Sequence, residues 1–447
     1  MAGDGMSMDK RQMKMRLGRD SIREIREMGP IAAGRFLLKW LVLGGIVGML
    51  TGSAAALFLA ALDRATDARL SHPWLLLFLP LGGAVVSYLY GKIGGDSSKG
   101  NNLILDQIHG GEGRVPLRMA PLVLFGTVVT HLFGGSVGRE GTAVQMGGSL
   151  AEGLGTVVRL NAADRRLILM CGIASGFGAV FGTPLAGAMF GMEVLAIGLL
   201  RSEGLVPCLI ASLVGDIVTR AWGIQHHLYQ VSEVPAITGP VMLKVAVASV
   251  AFGLAGLLFS ESTRWLKALY TKLIPYAPLK SFVGGLVIIA LVYIGGTRDY
   301  LGLGLPLIEE AFKGDAPTFA FLWKSLYTSL SLGAGFQGGE VTPLFVIGST
   351  LGSTLAGLLQ VSVPFLAALG FVAVFSGAAN TPIACFIMGV ELFGAGFLPY
   401  LFIACAVSYL FSGHTGIYLS QRIGTAKTTG IDIPENSTLS FVRQKKR

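Results

Sequence analysis

What most constrains this chain is a succession of long apolar runs interrupted by glycine. Strong apolar segments occupy roughly 37–62, 74–90, 119–134, 167–181, 205–218, 241–259, 282–295, 318–332, 343–359, 364–377 and 397–412. About 20 apolar residues cross a bilayer as a helix, so some of these runs can span with tilt and others are too short. Charged residues make up 14% of the 447, against about 25% in a soluble domain. That excludes an ordinary soluble protein and predicts an all-α integral membrane protein.

The interruptions point to a site. Glycine supplies 63 residues with neither the three-residue period of collagen nor the polarity of a disordered tract. Within apolar segments it reads as close helix packing and broken helices. Two glycine-rich breaks, 134–141 and 333–339, cut the apolar pattern. Irregular backbone at membrane depth is tolerated only where it is buried in protein or lines a cavity.

The breaks also match each other. Glu140, Thr142, Gly148 and Ser149 find counterparts 200 residues on in Glu340, Thr342, Gly348 and Ser349. Segment 183–193 aligns without gaps to 381–391, sharing its Thr, Pro, Ala, Gly and Glu. Two repeats are read, about 75–220 and 280–420, preceded by an N-terminal helix and joined by a connecting segment. Similarity alone does not separate parallel from inverted repeats, but broken helices at corresponding positions favour inversion.

Charge sets the expected orientation. The net charge is +9, and Lys10, Arg11, Lys14, Arg16, Arg19, Arg23 and Arg26 crowd one end while Arg443, Lys445, Lys446 and Arg447 close the other. Both ends are expected to be cytoplasmic by the positive-inside rule. The organisation read is a basic cytoplasmic segment 1–36, a transmembrane domain 37–424 and a short basic cytoplasmic tail 425–447. Asp4, Asp9, Asp20, Glu24 and Glu27 dilute the first basic segment, so nucleic acid is not the expected partner. Segment 20–27 fits a helix lying on the membrane surface. The first apolar run starts near Leu37, after a long charged stretch, so no cleaved leader is expected.

Cys171, Cys208, Cys385 and Cys405 lie far apart in apolar stretches and read as buried hydrophobes. His72, His109, His131, His226, His227 and His414 lack zinc-type spacing. No metal or cofactor is expected. No nucleophile with a partnered histidine stands out, so an intramembrane hydrolase is not the expected class.

The sharpest constellation is Gly138-Arg139-Glu140-Gly141, opening an apolar run through Val144, Met146 and Leu150. This is a helix start inside a membrane: its orphan N–H groups and positive dipole end attract an anion, and the glycines let the anion approach the backbone. The Glu140 carboxylate can take the anion's own position. Ionised, it competes with the anion; protonated, it leaves, so one side chain can be both gate and proton carrier. The plain alternative is a glutamate capping its own helix, with Arg139 as a neutralising neighbour. Intramembrane acids are functional by default.

At these residues the chain resembles the CLC family of anion channels and anion/proton exchangers, whose hallmark is a Gly-Arg-Glu-Gly segment carrying the gating glutamate. The resemblance covers nearly the whole membrane region and implies two inverted-topology repeats, a homodimer with one pathway per subunit, and transport across the cytoplasmic (inner) membrane. Gln337-Gly-Gly-Glu340-Val341-Thr342-Pro343 stands where the family has its second anion-binding helix start, usually Gly-x-Phe-x-Pro. Tyr418 resembles the family's anion-coordinating tyrosine, although an interfacial belt tyrosine is the alternative. Segment 97–103, Ser-Ser-Lys-Gly-Asn101-Asn102-Leu, stands where Gly-Ser-Gly-Ile-Pro is usual.

The departures set the expected substrate. Asn101 and Asn102 replace the serine of chloride-type members, Thr142 follows Gly141 where proline is usual, and Val341 replaces phenylalanine. This set resembles the fluoride-specific branch, which exchanges fluoride for protons. Fluoride is small and strongly hydrated, and an Asn amide offers two donors where serine offers one. The resemblance implies that Glu140 is the gate and proton carrier, assisted by Thr342. It also implies that Gly138, Arg139, Gly141, Val341, Thr342, Asn101, Asn102 and Tyr418 form the anion site. A chloride/proton exchanger or passive chloride channel of the same family is the rival.

Several acids and aromatics have two readings. Glu193 is followed by Val194, not by the second proton-transfer glutamate of many chloride/proton exchangers. Glu340 either assists proton uptake or salt-bridges near a helix start. Glu193 and Glu391 end matched segments, which suggests a shared structural role or a symmetric proton pair. Phe336 and Phe345 flank the second break and can pack or present a positive ring edge to an anion. The stretch after Gly424 is too short for paired regulatory domains, so nucleotide regulation through them is not expected.

Overall fold

The computed structural model describes residues 29–226, 229, 231, 234–429, 434 and 436–444. The basic residues of 10–26, the surface helix expected at 20–27, His227, and the closing Lys445, Lys446 and Arg447 lie outside the described residues. Among those described, the chain forms seventeen α-helices and one two-residue pair of parallel strands. Six stretches are long and apolar enough to cross a membrane: Pro30–Ser71, Pro73–Lys99, Ser202–Ala221, Gly239–Leu273, Ala277–Gly295 and Val341–Leu359.

Helix α1 (Pro30–Ser71) stands before the first repeat. The first repeat runs through α2 (Leu79–Leu89), α3 (Asn101–Ile108), α4 (Met119–Leu132), α5 (Glu140–Val157), α6 (Ala162–Phe181), α7 (Pro184–Glu193) and α8 (Leu205–Ala221). The connecting segment is the long helix α9 (Gly239–Leu273). The second repeat comprises α10 (Ala277–Gly295), α11 (Leu305–Lys313), α12 (Ala320–Ala334), α13 (Val341–Leu359), α14 (Val363–Ala379), α15 (Pro382–Phe393) and α16 (Leu398–Phe411).

The repeats are inverted, and local chemistry shows why. Helices α7 and α15 each begin with proline after threonine, and each carries a glutamate in its last turn, Glu193 and Glu391. The Glu193 carboxylate accepts the Ile383 and Ala384 N–H groups at 3.0 and 2.7 Å. The Glu391 carboxylate accepts the Leu185 and Ala186 N–H groups at 2.9 and 2.8 Å. Each C-terminus thus meets the other's N-terminus, which makes the equivalent helices antiparallel. Orphan N–H groups and positive dipole ends receive charge-assisted bonds in both repeats. This is the shared structural role for Glu193 and Glu391.

The pairing of the two breaks is shifted by one residue from the sequence match. Gly147 on α5 lies against Gly172 on α6, and Gly348 on α13 lies against Gly370 on α14, each so close that an added Cβ would overlap the partner's carbonyl. Gly348 is therefore the equivalent of Gly147, not of Gly148. By the same register Glu340 is equivalent to Arg139, both standing at the residue before the helix. Identity of residue types misled because backbone crossing, which only glycine permits, sets the register.

Helices α6 and α14 are buried on all faces from Leu167 and Phe365 onward. A helix hydrophobic all round belongs at the centre of a large bundle. Beyond α16 the chain returns: β2 (Arg422–Ile423) pairs with β1 (Ala196–Ile197). Helix α17 (Leu439–Gln444) then places Leu439 and Val442 on Ile197 and Ile423.

Candidate functional site

The two breaks meet at the centre of the molecule. Gly138 N–H donates to Gly339 O at 2.6 Å, and Gly339 N–H donates to Gly138 O at 2.8 Å, an antiparallel bridge between the repeats. It brings the starts of α5 and α13 together inside the core, where Glu140, Val341 and Thr342 are each 1% exposed.

Glu140 does not simply cap its own helix, the plain alternative among its readings. Its Oε1 accepts Val341 N–H at 2.6 Å, and its Oε2 accepts Thr342 N–H at 3.1 Å and the Thr342 hydroxyl at 2.9 Å. Arg139 N–H adds a fourth donor at 3.0 Å. The carboxylate of one repeat thus sits on the helix start of the other. This is the geometry of an anion at a helix N-terminus. A Cβ on Gly138 or Gly339 would collide with the carboxylate, which is the physical need for glycine on both sides.

Other expected residues divide. Arg139 contributes its backbone; its guanidinium lies 5.9 Å from the Phe181 ring centre and forms no ion pair with Glu140 among the described residues. Thr142 is bound to Thr127 through their hydroxyls at 2.6 Å. Asn102 Oδ1 accepts Ser420 N–H at 2.9 Å, tying α3 to the segment that carries Tyr418. Asn101 points toward the start of α5: its Nδ2 would lie 3.4 Å from a Cβ at Gly141, and its buried Oδ1 has no partner among the described residues. The Glu340 carboxylate makes no ion pair or hydrogen bond among the described residues, so the salt bridge that was one of its two readings is not there. Phe345 stacks on Phe371 at 4.1 Å and packs edge-on to Phe375, a core role.

Two cavities flank the cradle. One of about 560 Å³ is lined by Asn101, Gln145, Phe336, Glu340 and Tyr418 and also by Lys99, Arg264, Lys267 and Lys280. Lys99 pairs with Asp96 and Arg264 with Glu261, so Lys267 and Lys280 are the cations that face Glu340 here and favour anions in this vestibule. The other, about 30 Å³, is lined by Arg139, Thr342 and Phe345, and holds little more than a water. It lies toward the face where α1 ends, because Leu305 lines both it and a cavity walled by Arg69 and Leu70.

Sequence reasoning missed Gln145. It stands one helical turn beyond Gly141, so the i, i+4 spacing on α5 could have found it. Also missed is Lys324, fully buried with Nζ donating to the carbonyls of Tyr300 and Gly302 at 3.1 and 2.8 Å. No spacing in the sequence links residues that meet only through a loop.

Residues 82–413 match the voltage gated chloride channel family, and the chain belongs to that family. It is 51% identical over 415 residues to a chloride/fluoride channel protein of Pseudomonas syringae pv. tomato, covering 92% of each chain. It is 25% identical to an H(+)/Cl(-) exchange transporter of Vibrio parahaemolyticus, over 89% of this chain and 92% of that one. Among solved structures it resembles a CLC-type fluoride/proton antiporter with a TM-score of 0.84 and 36% identity, over 87% of this chain and 98% of the other. A slow cyanobacterial Cl-/H+ antiporter shares the fold at a TM-score of 0.75 and 19% identity, over 91% and 97%. The chain is thus a multi-pass membrane protein of a family of ion transporters, with anion/proton exchange as the supported class of function.

Proposed function

We propose that this protein exports fluoride from the cytoplasm in exchange for protons. The observation that carries the reading is the Glu140 carboxylate lying in a cradle of four donors, three of them from the opposite repeat. A carboxylate oxygen and a fluoride ion ask the same thing of such a cradle: N–H and O–H donors that replace water. When Glu140 takes a proton it loses its charge and its claim on the cradle. Fluoride from the basic vestibule then binds Val341 N–H, Thr342 N–H and the Thr342 hydroxyl. Loss of the proton on the other side returns the carboxylate and displaces the anion.

The Asn101 amide, aimed at the α5 start, adds donors suited to fluoride, and Tyr418 closes the vestibule beside it. Glu340, uncommitted at the vestibule wall, is placed to pass protons. The orientation that fits the basic ends is both termini in the cytoplasm and the vestibule facing inward, in the inner membrane, as a homodimer with one pathway per subunit. The printed names of the 51% identical relative and of the antiporter with a TM-score of 0.84 support fluoride. The 25% identical exchanger keeps chloride/proton exchange as the second reading.

The test is efflux from proteoliposomes loaded with fluoride or chloride, recording anion appearance and external pH together. Fluoride release with matched proton uptake and little chloride flux is the expected result. Equal or greater chloride flux overturns the fluoride assignment, and brisk fluoride flux without protons makes the protein a channel.

A further inference from the structure

Another cavity, of about 500 Å³ and sharing no lining residue with the anion cradle, opens between α3, the start of α6, β1 and the returning C-terminal segment. Its face is that of the α1 start, because Lys39 near the beginning of α1 pairs with Asp164 in the first turn of α6. The floor is apolar, formed by Leu167, Met170 and Leu195, and the rim carries Arg166, Arg201 and Arg422. Against three guanidinium groups stands one carboxylate, Glu203, at 3.7 Å from Arg201. Arg422 donates to His109 O at 3.3 Å, and Arg166 has neither hydrogen bond nor ion pair among the described residues. Burial holds the His109 pKa below the ordinary value, and its Nε2 lies 2.9 Å from Leu195 O.

The rim adjoins a stretch long and apolar enough to span a membrane. The spanning stretch Ser202–Ala221 begins at the residue after Arg201. Leu199, Leu200 and Leu205 beside it are 45%, 41% and 51% exposed. Arginine is the side chain that matches a phosphate bidentately, and basic pockets between spanning helices hold anionic headgroups. Exposed leucines next to the rim supply a path for acyl chains.

We propose that this pocket takes the phosphate of an anionic membrane phospholipid, with Arg166 and Arg201 as its principal contacts and Arg422 fixed behind them. The ligand chemistry is a phosphoryl oxyanion, and the apolar surroundings assign its source to the lipid rather than to a soluble phosphate. The site is independent of the transport reading, since none of its residues touches the cradle.

The test is native mass spectrometry of the purified full-length protein with phosphatidylglycerol, with phosphatidylcholine, and with glycerol 1-phosphate. In Arg166→Glu/Arg201→Glu, retained phosphatidylglycerol is expected to fall roughly tenfold or more, with phosphatidylcholine adducts and the gel-filtration profile unchanged. Arg166→Gln, at an exposed position without a partner, should show a smaller loss in the same direction and guards against misfolding of the double variant. Equal phosphatidylglycerol retention in wild type and both variants overturns the proposal, as does phosphatidylcholine held as tightly. Glycerol 1-phosphate bound as strongly as the lipid overturns the lipid source and gives the pocket to a soluble phosphoryl compound.

Discussion

The carboxylate of Glu193 closes the start of the helix that carries Glu391 in its last turn, and the carboxylate of Glu391 closes the start of the helix that ends in Glu193. This reciprocity ties the repeats together at four backbone N–H groups. Replacing either acid by glutamine removes charge-assisted bonds and is expected to cost about 1–3 kcal/mol of stability. Thermal unfolding in detergent should show the loss, while the proton-to-fluoride ratio of the surviving protein stays unchanged. A changed ratio would restore the idea of a symmetric proton pair.

Glu140→Gln removes the titrating group but keeps a side chain of the same shape. Its amide brings donors into a cradle made of donors, so the side chain should be expelled and fluoride should cross without protons. Simultaneous anion and pH recording in proteoliposomes checks this. Persistent proton movement driven by fluoride would sink the assignment of Glu140 as proton carrier.

Thr342→Val deletes the hydroxyl at 2.9 Å from Glu140 and leaves both backbone donors in place. A hydrogen bond to a charged group contributes about 1.5–3 kcal/mol, so fluoride turnover should fall about 10- to 100-fold. Thr342→Ser should recover most of it. If valine transports as well as threonine, the hydroxyl plays no part.

The two asparagines separate by experiment. Asn101→Ser should lower the fluoride-to-chloride flux ratio, because the amide near Gly141 is removed. Asn102→Ser should reduce total flux with the ratio unchanged, since Asn102 holds Ser420 N–H. The reverse pattern would exchange their roles.

Outside the membrane, burial pushes the Lys427 amine down to about 7. Its Nζ donates to Tyr409 O and Ser412 Oγ at 2.7 and 2.9 Å, two bonds that a neutral amine still makes. An unfolded lysine holds its proton to about 10.4. Between these values the unfolded state binds more protons, so stability rises with pH there and is flat below 7 from this group. Melting curves of wild type and Lys427→Met at pH 7, 8 and 9 should diverge upward for the wild type. Parallel curves would mean that Lys427 is charged throughout.

Apolar run length, glycine breaks and the Gly-Arg-Glu-Gly segment were sufficient to read a helical membrane protein with two repeats and to single out Glu140 as a buried residue at a helix start. Those signals are local: span length follows from bilayer thickness, and a glycine-rich helix start is an anion site wherever it stands. Tertiary structure alone decided that the Glu140 carboxylate belongs to the helix start at Val341 and Thr342, that Asn101 and not Asn102 faces the α5 start, and that the repeats register through Gly147 and Gly348. Each of these joins groups far apart along the chain. The physical reason is that orphan N–H groups at a buried helix start donate to whichever carboxylate packing delivers, and packing between all-apolar helices leaves no periodic trace in sequence.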